Sequence, residues 1–149
     1  MVKYIYGKIE LLSQIKPLWE ELNRQHIEKT NYFENYFESL VFEKRVDFLN
    51  HCSDVRIVLV KDDSFDTSIG YSISSIKEEI GSVDSVYVEE NYRRRGIGKT
   101  LFQDSMAWMD HKNIIRRKLD VVKGNDESLL FYEHFGFKVK YYGLERVQK

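Results

Sequence analysis

Apolar positions along the chain alternate between two periods, and this sorts most of it into strands and helices. Lys3 to Glu10, with Tyr4, Ile5, Tyr6 and Ile9, is dominated by β-favouring residues and reads as a strand. Leu11, Ile15, Leu18 and Leu22 then recur at spacings of one helical turn, so a helix follows, with Pro17 expected near its first turn. A second helix is predicted from about Tyr32 to Leu49, its apolar side formed by Phe33, Phe37, Leu40, Val41 and Phe48. Val55-Arg56-Ile57-Val58-Leu59-Val60, apolar but for Arg56, is a run typical of a buried strand. Ile69 to Ile76 alternates, with Ile69, Tyr71 and Ile73 predicted on one face, and Val83 to Val88 follows a break at Glu79-Ile80-Gly81. These three strands read as an antiparallel meander.

Beyond Val88 the chain turns polar and basic, and Gly96-Ile97-Gly98 opens a helix with a core face of Leu101, Phe102, Met106 and Met109. Lys118 to Lys123 reads as a strand. Asn125 and Asp126 are N-cap candidates for a helix through His134 that Gly136 stops, and Phe137 to Val147 reads as a last strand. The order β-α-α-β-β-β-α-β-α-β predicts an α/β fold with a mixed sheet. With no linker-like stretch or repeat, residues 1–149 read as a single domain.

Composition narrows the functional classes. Lys and Arg number 23 against 24 Asp and Glu, and this balance argues against general nucleic-acid coating, which depends on excess positive charge. One cysteine and four scattered histidines offer neither a disulfide framework nor metal-ligand spacing, so no metal is expected. No apolar run is long enough to span a membrane and no signal peptide is visible, so no membrane partner and a cytoplasmic location are expected.

The basic segment Arg93-Arg94-Arg95-Gly96-Ile97-Gly98-Lys99 sits between a strand and a helix. Glycines allow close backbone approach, and a helix N-terminus presents free N–H groups and partial positive charge, a combination suited to phosphate. Two familiar phosphate loops fail the test. The dinucleotide fingerprint needs a glycine where Leu101 stands, and the Walker loop needs one where Arg93 stands. A solvated basic turn remains the plain alternative. A second constellation follows: Ser128 and Tyr132 are four apart on a helix and share a face, with Asn125 just before it. The plain alternative there is a capping Asn and a packing Tyr.

Together the two segments resemble the GCN5-related N-acetyltransferases. That family's Gln/Arg-x-x-Gly-x-Gly/Ala signature after a strand matches Arg93 to Gly98 following Val86-Tyr87-Val88. Its Asn, small residue, Phe-Tyr and Gly-Phe series matches Asn125, Ser128, Phe131-Tyr132 and Gly136-Phe137. The resemblance implies a sheet splayed between the strands near 83–88 and 118–123, with acetyl-CoA as cofactor in the opening. It implies backbone pairing of the pantetheine arm around Val86, Tyr87 and Val88, and pyrophosphate held by Arg93, Arg94, Arg95, Gly96, Ile97, Gly98 and Lys99. It further implies Asn125 and Ser128 beside the arm, and Tyr132 as the acid next to the sulfur.

Asp84-Ser85-Val86-Tyr87-Val88 also resembles the diamine acetyltransferase branch, which has Glu-Asp ahead of a similar strand end. Asp84 is therefore the candidate base, with Glu78, Glu79 and a water-mediated base as rivals. The implied activity is transfer of an acetyl group to a primary amine of a small-molecule or peptide acceptor. The alternatives are a non-catalytic acyl-CoA sensor on the same fold and, less favoured by the charge balance, a nucleic-acid module. His26, Tyr32, Phe33 and Tyr36 are candidates to line the acceptor pocket by position. The last strand, with Tyr141 and Tyr142, is a candidate homodimer edge.

Overall fold

The computed structural model describes residues 1–147. Five strands form one sheet in the order β1-β2-β3-β4-β5: β1 Val2–Gly7, β2 Asp54–Asp62, β3 Thr67–Lys77, β4 Ile80–Val88 and β5 Arg116–Leu119. The first four pair antiparallel, and β4 and β5 pair parallel. Helices α1 Leu12–Lys29, α2 Glu34–Glu38 and α3 Phe42–Asn50 precede β2. Helix α4 Ile97–His111 crosses from β4 to β5, and α5 Asp126–His134 follows β5.

Alternation along β2 builds two cores. Ile57 and Leu59 pack with Ile15, Trp19, Phe42, Tyr71 and Ile73 beneath α1 and α3. Val58 and Val60 face the other way, against Ile97 and Leu101 of α4. Ile69 joins this second cluster rather than lying with Tyr71 and Ile73 as the alternation predicts. The cause is a bulge: Val60 pairs with Gly70 and Lys61 with Ser68, so Ile69 is extra and the pleat reverses there. Close packing needs glycine at two points. A Cβ on Gly70 would stand 2.8 Å from the Tyr87 carbonyl oxygen, and one on Gly81 2.7 Å from Met109 Sδ of α4.

Other departures have equally local causes. The predicted second helix is broken at Ser39–Val41 into α2 and α3, with Val41 extended and Phe42 buried beneath α1. Pro17 lies near the start of α1, in its second turn, as expected. The strand read at Lys118–Lys123 begins at Arg116 and ends at Leu119, where β4 and β5 diverge and no partner remains for its backbone. Phe137 to Val147 forms no strand. No sheet edge takes up its alternation, and Tyr141, Tyr142 and Leu144 stand exposed. Phe137 alone turns inward, onto the ring of Phe102.

The divergence of β4 and β5 positions the site. Four residue pairs, Ile80–Arg116 through Val83–Leu119, join the two strands. From Asp84 to Val88 the β5-facing edge of β4 has no strand partner among the described residues. The sheet is thus splayed where the resemblance implies, leaving a cleft bounded by β4, the segment after β5, and α5.

Candidate functional site

A cavity of about 290 Å³ occupies this cleft. One wall is Val83 to Val86 of β4, another is Asp120 to Val122 after β5, and a third is Asn125, Ser128 and Tyr132. The floor comes from α1, α2 and α3. Val86 faces the cavity, while Tyr87, on the opposite parity, is buried against Tyr71 in the α1–α3 core. Free backbone N–H and C=O groups along this edge can hydrogen-bond an extended, amide-bearing chain as an added strand would.

Beyond the end of β4 the chain makes a short 3₁₀ turn at Glu90–Tyr92 and enters α4 through two residues of positive φ, Arg94 at 65° and Gly96 at 81°. The first helical bond within this turn runs from Thr100 N–H to the Gly96 carbonyl, so the N–H groups of Ile97, Gly98 and Lys99 precede it. A Cβ on Gly96 or Gly98 would meet no atom within 4 Å, so both positions border open space. The arrangement suits an anion. The loop is anchored behind by Tyr92, whose hydroxyl donates to buried Asp62 at 2.5 Å; Asp62 also accepts from Ser64 N–H.

The three arginines behave differently. Arg93 is turned away from the helix end: Nε donates to the Val88 carbonyl at 2.8 Å, Nη2 to Gln25 Oε1 at 3.2 Å, and the guanidinium lies over Tyr87. Its side chain fastens α1 to the strand end. Arg95 stacks on Tyr92, and Arg94 is exposed.

At the other end of the open edge, a second bulge governs Asp84. Ser74 pairs with Val83 and Ile73 with Ser85, so Asp84 is the extra residue. It does not share the parity of Val86, as plain alternation predicts. Asp84 and Ser85 both hydrogen-bond toward the α1–α3 side: Ser75 Oγ donates to Asp84 Oδ2 at 2.6 Å, and the Ser85 and Tyr71 hydroxyls meet at 2.8 Å. Arg45 Nη1 of α3 stands 3.9 Å from Asp84 Oδ1. Burial pushes the Asp84 carboxyl up, and Ser75, Arg45, Ser82 and Lys118 partly offset this. Glu78 and Glu79, the rival bases, form the exposed β3–β4 turn and do not border the cavity.

Asn125 occupies the N-cap position of α5, yet its side chain makes no capping bond, and it lines the cavity. Tyr132 packs its ring against Phe102, Phe131 and Phe137, and burial pushes its phenol above the ordinary value, so it is protonated at neutral pH.

Of the four acceptor-side candidates, His26 and Tyr36 line the cavity; Tyr32 and Phe33 do not. Phe33 instead caps α2, its N–H held by Thr30 Oγ1. His26 sits against Phe37, and burial with nearby Lys29 pushes its pKa down. Sequence reasoning missed Asn23, Phe37, Leu40 and Arg45. Arg45 could have been found by helical phase, since it falls one turn after Phe42.

Comparisons with known proteins agree with this fold. The chain is 30% identical over 115 residues to the spermidine N(1)-acetyltransferase of Thermoplasma acidophilum, covering 73% of this chain and 71% of that one. Its fold resembles that of the PaiA N-acetyltransferase of Thermoplasma acidophilum, solved with coenzyme A (TM-score 0.69, 24% identity, 94% and 91% of the two chains). It also resembles the BH1408 protein of Bacillus halodurans, solved as a tetramutant (TM-score 0.72, 14% identity, 98% and 99%). Residues 16–137 match the model of the acetyltransferase (GNAT) family, and the chain belongs to that family of acetyl-CoA-dependent N-acetyltransferases.

Proposed function

We propose that the protein transfers an acetyl group from acetyl-CoA to the primary amine of a small acceptor seated between the α1–α3 layer and the open edge of β4. The observation that carries this reading is the single cleft in which the free β4 edge, Asn125, Ser128, Tyr132 and Asp84 converge. The cleft fits the cofactor. An unpaired strand edge suits a pantetheine arm, and the anion-accepting turn at Gly96–Lys99 lies beyond its end. When bound, acetyl-CoA supplies an activated thioester carbonyl.

Each residue then has a stated task. The N–H groups at the start of α4, together with the cations Arg94, Arg95 and Lys99, hold the diphosphate; Arg93 acts through its backbone, because its side chain is committed to Val88 and Gln25. Val86 aligns the arm through its main-chain N–H and C=O and Val88 through its N–H, its carbonyl already accepting from Arg93; the uncommitted Asn125 amide, with Ser128, fixes the arm's far end. Asp84 attracts the acceptor amine and takes its proton, directly or through water, so that the neutral nitrogen can attack. A C–N bond forms, the C–S bond breaks, and Tyr132, held protonated by its burial, gives its proton to the departing sulfur.

Thiol release is the test, measured against a panel of amines with wild type and Tyr132→Phe. Acetylation by wild type, with a large loss of kcat in the variant, supports the reading. Unchanged turnover in Tyr132→Phe removes Tyr132 as the acid.

A further inference from the structure

We infer that the acceptor is a zwitterion, a primary amine with a carboxylate one or two carbons away and an apolar side chain, with Arg45 seating that carboxylate and Asp84 the amine. The inference rests on the proposed acetyltransferase reading and narrows its acceptor class. The charges around the cavity lead to it. Its lining holds two carboxylates, Asp84 and Asp120, and one guanidinium, Arg45. Asp84 is already faced by that guanidinium at 3.9 Å and by the positive charge of Lys118. A polycation needs several unspent carboxylates, and this wall does not supply them.

Arg45 itself is under-used. At 3.9 Å its contact with Asp84 is ionic but too long for a hydrogen bond, so its planar fork of donors stays free of that carboxylate. Its side chain is 29% exposed on the cavity wall. A guanidinium in this position matches a carboxylate in two-point geometry, which an ammonium does not. The adjacent plus and minus on the wall mirror the adjacent minus and plus of an amino acid. Trp19, Leu22, Phe37 and Leu40 supply apolar surface for a side chain beyond them. About 290 Å³, shared with the cofactor's arm, is at the small end for ligand pockets and suits a compact acceptor.

The test compares matched pairs that differ only in the carboxylate: L-phenylalanine with phenethylamine and L-leucine with 3-methylbutylamine, with spermidine as the polycation. Each is titrated calorimetrically into the full chain, with and without saturating CoA, so that binding is read independently of turnover. The carboxylate-bearing member of each pair is expected to bind at least about tenfold more tightly. R45Q is expected to erase that preference and R45K to restore part of it. Equal binding of pair members, tightest binding of spermidine, or an undiminished preference in R45Q overturns the inference. Should R45Q fail to fold, the wild-type pairs decide alone. Failure of acetyl-CoA to bind overturns the acetyltransferase reading instead, and the CoA-free titrations still report on Arg45.

Discussion

Tyr132 and Asp84 are both half-buried, and in each case desolvation favours the uncharged form. For Tyr132 this suits the proposed role, because a protonated phenol is what a departing thiolate needs. Tyr132→Phe should lower kcat by about 100-fold or more while acetyl-CoA affinity, read by calorimetry, changes less than about threefold. For Asp84 it costs stability. Its folded pKa lies above the unfolded one, so the native state binds the extra proton, and stability contributed at this site falls as pH rises through the carboxylate range. Denaturant unfolding of Asp84→Asn should therefore show stability gaining on wild type between pH 3 and pH 7. A constant difference would contradict that. Ser72 is a third case: its hydroxyl is buried on β3 without a hydrogen-bond partner. Ser72→Ala should be neutral or stabilising by up to about 1 kcal/mol in the same assay, since it removes an unsatisfied group.

Elements carry the parts of the site that residue identity does not. The N-terminal turn of α4 depends on Gly96 at φ 81°, a conformation that disfavours any side chain, with its Cβ direction opening onto free space at the turn proposed to cradle the diphosphate. Gly96→Val should weaken acetyl-CoA binding by at least about tenfold, and normal affinity would displace the cradle from this turn. The β3–β4 hairpin is strained for a different reason. Glu78 and Glu79 both take positive φ, 52° and 64°, as a two-residue turn of this hand requires, and they place like charges side by side. Glu78→Asn with Glu79→Gly should raise stability by about 1–2 kcal/mol with no effect on cofactor binding. The glycine turn and the α5 series were legible in the sequence because they are fixed by spacing. The bulges at Ile69 and Asp84 were not, because an extra residue in one strand leaves no trace in the strand's own alternation. Asp84 was singled out by likeness, yet its face, and its contact with Arg45, came only from the bulge.

At the scale of the molecule, the element order to α5, apart from the break of the second helix into α2 and α3, and the mixed sheet could be read from periodicity, and the splay followed from the resemblance. The last strand was misread: Phe137 to Val147 carries a strand's alternation, but a strand also needs a partner, and sequence pattern alone does not say whether one is there. The helical floor of the cavity was half legible. His26 and Tyr36 reach it, while Tyr32 and Phe33 turn elsewhere because the predicted helix is broken and re-aimed at Ser39–Val41. What unites these pieces is a cleft made by two parallel strands that part company after four residue pairs, with the N-terminus of α4 beyond the free edge. Calorimetric titration of the protein with acetyl-CoA at modest salt tests that arrangement most directly. About one site per chain with micromolar affinity, roughly −7 to −8 kcal/mol, is the expected result. No binding by a folded protein up to millimolar acetyl-CoA would contradict it.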